Sequence, residues 1–441
     1  MRVYYFLFFT AAFFVDSLAI SIGSLDIRCN ELLLGIAALI AIAVYHASAK
    51  TRLFKRVLLV YGAFFVSGIP GIFFADYSAG IMGLARSILF PAFLASCSVF
   101  IVPSKATEFA ALFKGYLDAC MIASITLIIA SLLHVSADRI SFPFYEPSQL
   151  AVGILPALLL SLSMTNGRLY FVPLFSSILI GRSSLVFTAL LVVCGASLVI
   201  NIWPILHKLI SLKYRRGFIL LGFPLLLAFL AFIFYFLLLS PDSEMRFGLF
   251  SNASFLSAAG SDVIKLGGTA SSLLASLQAL ITTIKLYPLF GLGHGGTSVF
   301  FNAEICTILG TCQIDVVNYY NSNGSNLAFR TLGDLGILGL ALFIGSLCFS
   351  LKSWISALFL ACRMILVYII NGFIGLVSKR SYTDLIVTTS TPSIWFHIPF
   401  IVIFASHLLR KESLASFYLS FWMVVSLSAQ SFRGNITPSL K

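Results

Sequence analysis

The chain has 441 residues, 59% hydrophobic and 10% charged, with a mean hydropathy of +1.02. Soluble chains carry about 25% charged residues, so a water-facing globular protein is excluded, as are a coiled coil, a collagen and a disordered chain. The 28 Lys+Arg against 16 Asp+Glu give a net charge of +12. In so apolar a chain that excess sets membrane topology and is not a nucleic-acid footprint.

About 260 apolar residues, at ~20 per bilayer-spanning helix, cap the number of spans near thirteen. In chain order, apolar runs predict spans at 3–24, 31–48, 57–75, 79–102, 109–133, 149–165, 169–181 and 184–203. Further runs follow at 217–239, 326–350, 354–376 and 393–409. A last run, 414–430, is short and reads either as a span or as a helix lying on the membrane surface. The first run is too long for a signal-peptide core, carries Asp16 and lacks a small-residue cleavage site, so it is kept as a span. The long unbroken runs exclude an outer-membrane barrel. The expected fold is an all-α polytopic membrane protein of eleven to thirteen helices, twelve favoured, forming one integral domain over 1–441.

Counting spans from Arg2 puts the clusters Lys50/Arg52/Lys55/Arg56, Lys208/Lys213/Arg215/Arg216 and Arg410/Lys411 on one side, the cytoplasmic one by their charge. Within the 109–133 run, Lys114 and Asp118 stand four residues apart on one helix face and are expected to pair. The opposite side receives 134–149, the turn at Arg182 and a polar loop over about 240–325. Within that loop, 271–286 has the Leu/Ile spacing of an amphipathic helix. Cys306 and Cys312 lie on the same side and are either a disulfide or two thiols. The other cysteines of the apolar runs read as small core residues.

No Walker A, HExxH, CxxC pair, GxSxG or DxD motif is present. Gly291-Leu-Gly-His-Gly-Gly296 matches GxGxxG but follows a helix in an outer loop, which makes it a tight turn and not a dinucleotide site. Basic residues on the outer side run against the positive-inside rule, and Arg139, Arg182, Arg246, Lys265, Lys285 and Arg330 all fall in or beside outer segments. A diphosphate would reward them, since guanidinium forks bind phosphate oxygens bidentately and stay charged. Any one of them alone reads more readily as an interfacial side chain reaching lipid headgroups, and it is the set that favours a diphosphate. Glu146 shares a loop with Arg139, and His294, in the glycine-rich turn, is the candidate acid/base group.

Four short elements, taken in order, resemble the Wzy-type O-antigen and capsule polymerases. They are Phe142-Pro-Phe-Tyr-Glu-Pro-Ser-Gln149, Ile180-Gly-Arg-Ser-Ser184, Tyr287-Pro-Leu-Phe-Gly-Leu-Gly293 and Leu332-Gly-Asp-Leu-Gly-Ile-Leu-Gly339. The resemblance implies a membrane-embedded, GT-C-like glycosyltransferase in the bacterial inner membrane with its site facing the periplasm. It implies transfer of a growing glycan from undecaprenyl diphosphate to a hydroxyl of the next lipid-linked repeat unit. Donor and acceptor would be lipid-linked glycans, a chain-length regulator a partner, and no metal, cofactor or nucleic acid is implied. Carried onto this sequence, Arg182 would contact the donor diphosphate and Glu146 would order the acceptor or the arginines. Arg246 stands nearest to the basic residues that the family describes in its outer loops. Candidate substrate contacts are Arg139, Tyr145, Lys265, Asn321, Asn323 and Arg330. The related O-antigen ligases place a His-Asn pair before the last element; Ser325-Asn326 stands there, which favours polymerase over ligase and leaves the general base unassigned. A polysaccharide flippase is the alternative without catalysis.

Overall fold

The computed structural model describes residues 1–22, 25–45, 50–72, 81, 83–133, 143–144, 147–161, 168–181, 268–309, 312, 327–350, 399–400, 402–404, 407 and 416–429. These are mostly helical. The elements begin with α1 (Arg2–Phe14), the strands β1 (Ala19–Ile22) and β2 (Leu25–Arg28), α2 (Cys29–Tyr45) and α3 (Thr51–Ile72). A π-helical turn (Ala85–Leu89) runs into α4 (Phe90–Ile101), followed by α5 (Ala106–Leu132), α6 (Pro147–Ser161) and α7 (Arg168–Gly181). After a long interval come α8 (Gly268–Leu286), α9 (Thr297–Leu309), α10 (Leu327–Ser350) and α11 (Phe417–Ala429).

Two of the described helices are long and apolar enough to cross a bilayer: Thr51–Pro70 of α3 and Glu108–Leu132 of α5, with mean hydropathies of 1.4 and 1.8. Only 33% and 44% of their most apolar stretches are buried, so much of that surface faces outward. The outward side of α2 is equally apolar, with Ile36, Leu39 and Ile40 at least half exposed. Greasy surface of this extent needs an apolar partner. The expected runs at 184–203, 217–239 and 354–376 lie outside the described residues.

Two expectations are corrected, and one left open is narrowed. The first apolar run is not one helix: α1 stops at Phe14, and the residues after it form an antiparallel strand pair with Ile20 opposite Ile27 and Ile22 opposite Leu25. The fold is therefore not purely helical. Asp16, at the foot of the hairpin and 1% exposed, accepts a 2.7 Å bond from Asn30 Nδ2 with Arg28 3.8 Å away. Second, Asp118 does not pair with Lys114. Its carboxylate takes both Arg2 Nε (2.8 Å) and Arg2 Nη2 (2.6 Å), and the Tyr170 hydroxyl donates to its other oxygen at 2.9 Å. A guanidinium delivering two nitrogens, supported by a phenol, outcompetes a local ammonium.

Of the two readings left open for 414–430, the surface helix is set aside, since every residue of α11 is buried. It is apolar all round, the mark of a central helix. Its Trp422 stacks on Phe9 and Phe113 and meets Tyr116 edge-on at 4.8 Å, while Phe421 meets Phe8 and Phe9, and Tyr418 stacks on Phe13. The main core thus forms where α1, α5 and α11 converge. Glycines let backbones approach: a Cβ on Gly115 of α5 would strike the first turn of α1, and one on Gly153 of α6 would strike Phe144.

The bundle has two distinct ends. At one, Lys50 Nζ donates to the carbonyls of Phe100 (2.8 Å) and Val102 (2.6 Å), Tyr5 donates to Ile101, and Arg56 reaches the Leu427 carbonyl. Basic side chains here close helix C-termini, where orphan carbonyls and the helix dipole both favour them. From this end α3 and α5 run together toward the other. α7 runs parallel to α5, as the Asp118–Tyr170 and Ser124–Ser177 contacts require. α6 packs on α7 and is joined to it by six residues, so the two are antiparallel. Pro147 and Gly181 therefore share the end opposite Lys50.

Trp422→Ala should remove the centre of the aromatic core and destabilise the detergent-solubilised protein by about 3–5 kcal/mol. A lowered thermal unfolding midpoint measures it.

Candidate functional site

Of the site residues expected from the sequence, His294 and Arg330 are among the described residues. Arg139, Tyr145, Glu146, Arg182, Arg246, Lys265, Asn321 and Asn323 lie outside them. Two of these are bracketed by structure: Pro147, after Glu146, opens α6, and Gly181, before Arg182, closes α7.

The two glycine-rich elements read separately in the sequence form one unit. The turn after α8 lays its backbone along the first half of α10. Leu292 N donates to the Gly333 carbonyl at 3.0 Å and Gly293 N to that of Asp334 at 2.8 Å. In return Ile337 N and Leu338 N donate to Pro288 and Leu289. Gly336 interrupts α10 with φ +64°, and a Cβ there would strike the Leu289 carbonyl and Gly291 N. Gly291 at φ +65° meets Gly333 and Asp334 just as closely. Left-handed backbone at these two points is open to glycine at little cost, and no side chain fits between the segments.

Asp334 joins the parts. It is 7% exposed and accepts from Gly295 N (2.9 Å), Thr297 N (3.0 Å) and the Thr297 hydroxyl. Thr297 opens α9, so the carboxylate caps that helix and fills the place where a free helix N-terminus would attract an anion. A phosphate has no vacancy there. In the sequence, Asp334 is marked only as a lone carboxylate amid glycines at the start of an apolar run, and that pattern assigns it no role.

His294, expected as an acid/base group in the glycine-rich turn, is buried. Its ring, 1% exposed, meets Phe64 edge-on at 4.9 Å, with Nε2 3.2 Å from the Phe64 carbonyl. A Cβ on Gly68 would overlap the ring, and one on Gly83 would overlap the His294 backbone. Burial lowers the imidazole pKa, partly opposed by the Asp334 carboxylate and the Phe64 carbonyl. A ring so enclosed is a wedge locking the turn to α3, about 20–25 Å along that helix from Lys50.

Arg330 sits one turn before Asp334 on α10, its guanidinium carbon 5.7 Å from the centre of the Phe301 ring of α9. This cation therefore belongs to the same unit. The expected loop helix is α8, three residues longer than read, and it packs with α9 around its own small core of Ala275, Ala279, Phe301 and Ile305. Within the polar loop expected over about 240–325, α8 and α9 thus form a packed helical pair. Cys306, in α9, is disulfide-bonded to Cys312, with Cα atoms 4.8 Å apart.

Two outcomes follow. Asp334→Ala strands two amides and should cost roughly 1–3 kcal/mol, read as faster hydrogen exchange at Gly295 and Thr297. Because His294 is harder to protonate when folded, the docked turn is most stable above the ordinary imidazole value of about 6.5 and weakens as pH falls below it. Thermal melts from pH 8 to 5.5 should show this loss, and His294→Gln should flatten it.

No family model matches this chain and no curated protein matches it, so its function is read from its own residues.

Proposed function

We propose that the chain is a membrane-embedded glycosyltransferase that polymerises lipid-linked oligosaccharide repeat units at the outer face of the bacterial inner membrane. The observation that carries the reading is a coincidence of ends. Pro147, Gly181 and the docked glycine unit all lie at the end of the bundle opposite the Lys50/Arg56 caps. Helix ends beside two of the family-like elements, and the other two elements themselves, thus fall at one end of the bundle, although up to about 190 residues separate the four in sequence, which supports the reading. A basic end with helix-capping lysine and arginine fits the cytoplasm, and the Cys306–Cys312 disulfide fits an oxidising compartment at the other. The reading takes twelve spans, an undecaprenyl-diphosphate donor and acceptor, and a chain-length regulator as partner.

In the reaction, an acceptor hydroxyl attacks the anomeric carbon of the donor glycan, the bond to the diphosphate oxygen breaks, and the proton passes from the hydroxyl to base or solvent. The diphosphate leaves with its electron pair. Arg182, with Arg246 and Arg330, offsets the charge developing on it, so neither metal nor nucleotide is required. Glu146 orders the acceptor, and Asn321 and Asn323 hydrogen-bond sugar hydroxyls. Tethering both substrates in one bilayer supplies much of the rate through proximity. His294 positions the glycine unit and is not the general base.

Deleting the gene in a host with long O-antigen should leave a single repeat unit on the lipid core. Accumulated lipid-linked polymer would indicate a ligase instead, and repeat units trapped in the cytoplasm a flippase. In the restored strain, Arg182→Ala should abolish polymer while the protein stays in the membrane; wild-type chain lengths would sink the diphosphate role.

A further inference from the structure

The described residues include an open cavity of about 370 Å³ lined by Arg2, Val3, Phe6 and Asp118. It lies away from the glycine unit and plays no part in the proposed transfer. Arg2 spends Nε and Nη2 on a single oxygen of Asp118, yet its side chain stays 55% exposed. Its Nη1 has no partner among the described residues. Asp118 is held from the other side by the Tyr170 hydroxyl, so the guanidinium is fixed in direction and only partly satisfied. Lys114, one turn earlier on the same face of α5, makes the local charge two cations against one carboxylate. A spare, preoriented guanidinium edge in a net-positive setting recognises a phosphate.

The surroundings are those of an acyl chain. Val3 and Leu7 of α1 and Leu169 and Val172 of α7 flank the charged trio, each more than half exposed. Depth agrees. α7 begins two residues before Tyr170, and the first turn of α1 packs on Gly115, so both helices start at the same level of α5. On one side of that level α5 carries Glu108, Lys114 and Asp118; on the other, from Ala119 to Leu132, it carries no charge. Asp118 is thus the last charge along α5, and a headgroup held by Arg2 at that level passes its chain onto the uncharged helix beyond it.

We infer that this groove binds a glycerophospholipid, its phosphate on the free edge of Arg2 and an acyl chain along α1 and α7. The inference requires a bilayer around the chain but not the transferase reaction. The lipid adds the hydrogen bonds that Asp118 alone does not supply and ties α1, α5 and α7 together at one depth.

Native mass spectrometry of the full-length protein in detergent tests it. Wild type should retain phosphatidylglycerol about tenfold better than diacylglycerol with the same chains, a difference of ~1.4 kcal/mol. Arg2→Gln should erase that preference, and inorganic phosphate alone should give no thermal stabilisation. Equal retention of the two lipids by wild type, an undiminished preference in Arg2→Gln, or full stabilisation by inorganic phosphate would each overturn the site. Should Arg2→Gln not fold, wild type treated with a photoreactive phosphatidylglycerol decides: labelling of the peptide carrying Val3 and Phe6 is expected, and labelling confined to other helices refutes it.

Discussion

One buried carboxylate organises the far end of this bundle. Asp334 starts α9, closes the glycine turn and holds both to α10, using acceptor capacity that a neutral side chain lacks. The glycines around it are the complement of that interaction. They remove every Cβ that would keep the turn at side-chain distance, so backbone donors reach the carboxylate directly. His294 then transmits the position of the turn to α3, one of the two helices long enough to cross a bilayer. The result ties the polar end of the bundle to a helix long and apolar enough to cross a bilayer.

The same bundle separates its charges by end and its apolar surface by side. Lysine and arginine close helix C-termini at one end, glycine and carboxylate knit the other, and aliphatic side chains cover the flanks between. The interior is filled by aromatic rings from helices distant in sequence. Lipid does not drive apolar helices together as water would, so contact quality must. Edge-on and stacked rings around Trp422, with glycine notches at Gly115 and Gly153, supply it.

How much of this was legible follows from range. Helices set by local apolar runs were read within a few residues: 31–48 against Cys29–Tyr45, 109–133 against Ala106–Leu132, and 271–286 against Gly268–Leu286. The hairpin was missed because its Ile20, Ile22, Leu25 and Ile27 are as hydrophobic as a span; their alternation around Gly-Ser carried the signal, and run length masked it. Pairings across long separations could not be read at all. Local spacing offered Lys114 to Asp118, and Arg2, 116 residues away, took it. The two glycine motifs were recognised, but nothing in either one announces that they bond to each other. His294 looked available because a loop position says nothing about what closes over it.

The placement of α11 also constrains how the molecule is made. The cleft it fills, backed by α3 and α4 and lined by rings of α1 and α5, is complete once Leu132 has been synthesised, but Phe417 arrives 285 residues later. At about 5–20 residues per second, translation leaves that aromatic cleft empty for roughly 15–60 s. Early segments must therefore wait as a half-built assembly, shielded by something other than their final partner, which on the membrane reading is the insertion machinery or lipid. Quality control that senses an unfilled cleft would treat a chain truncated before Phe417 as unfinished, however well its earlier helices had inserted.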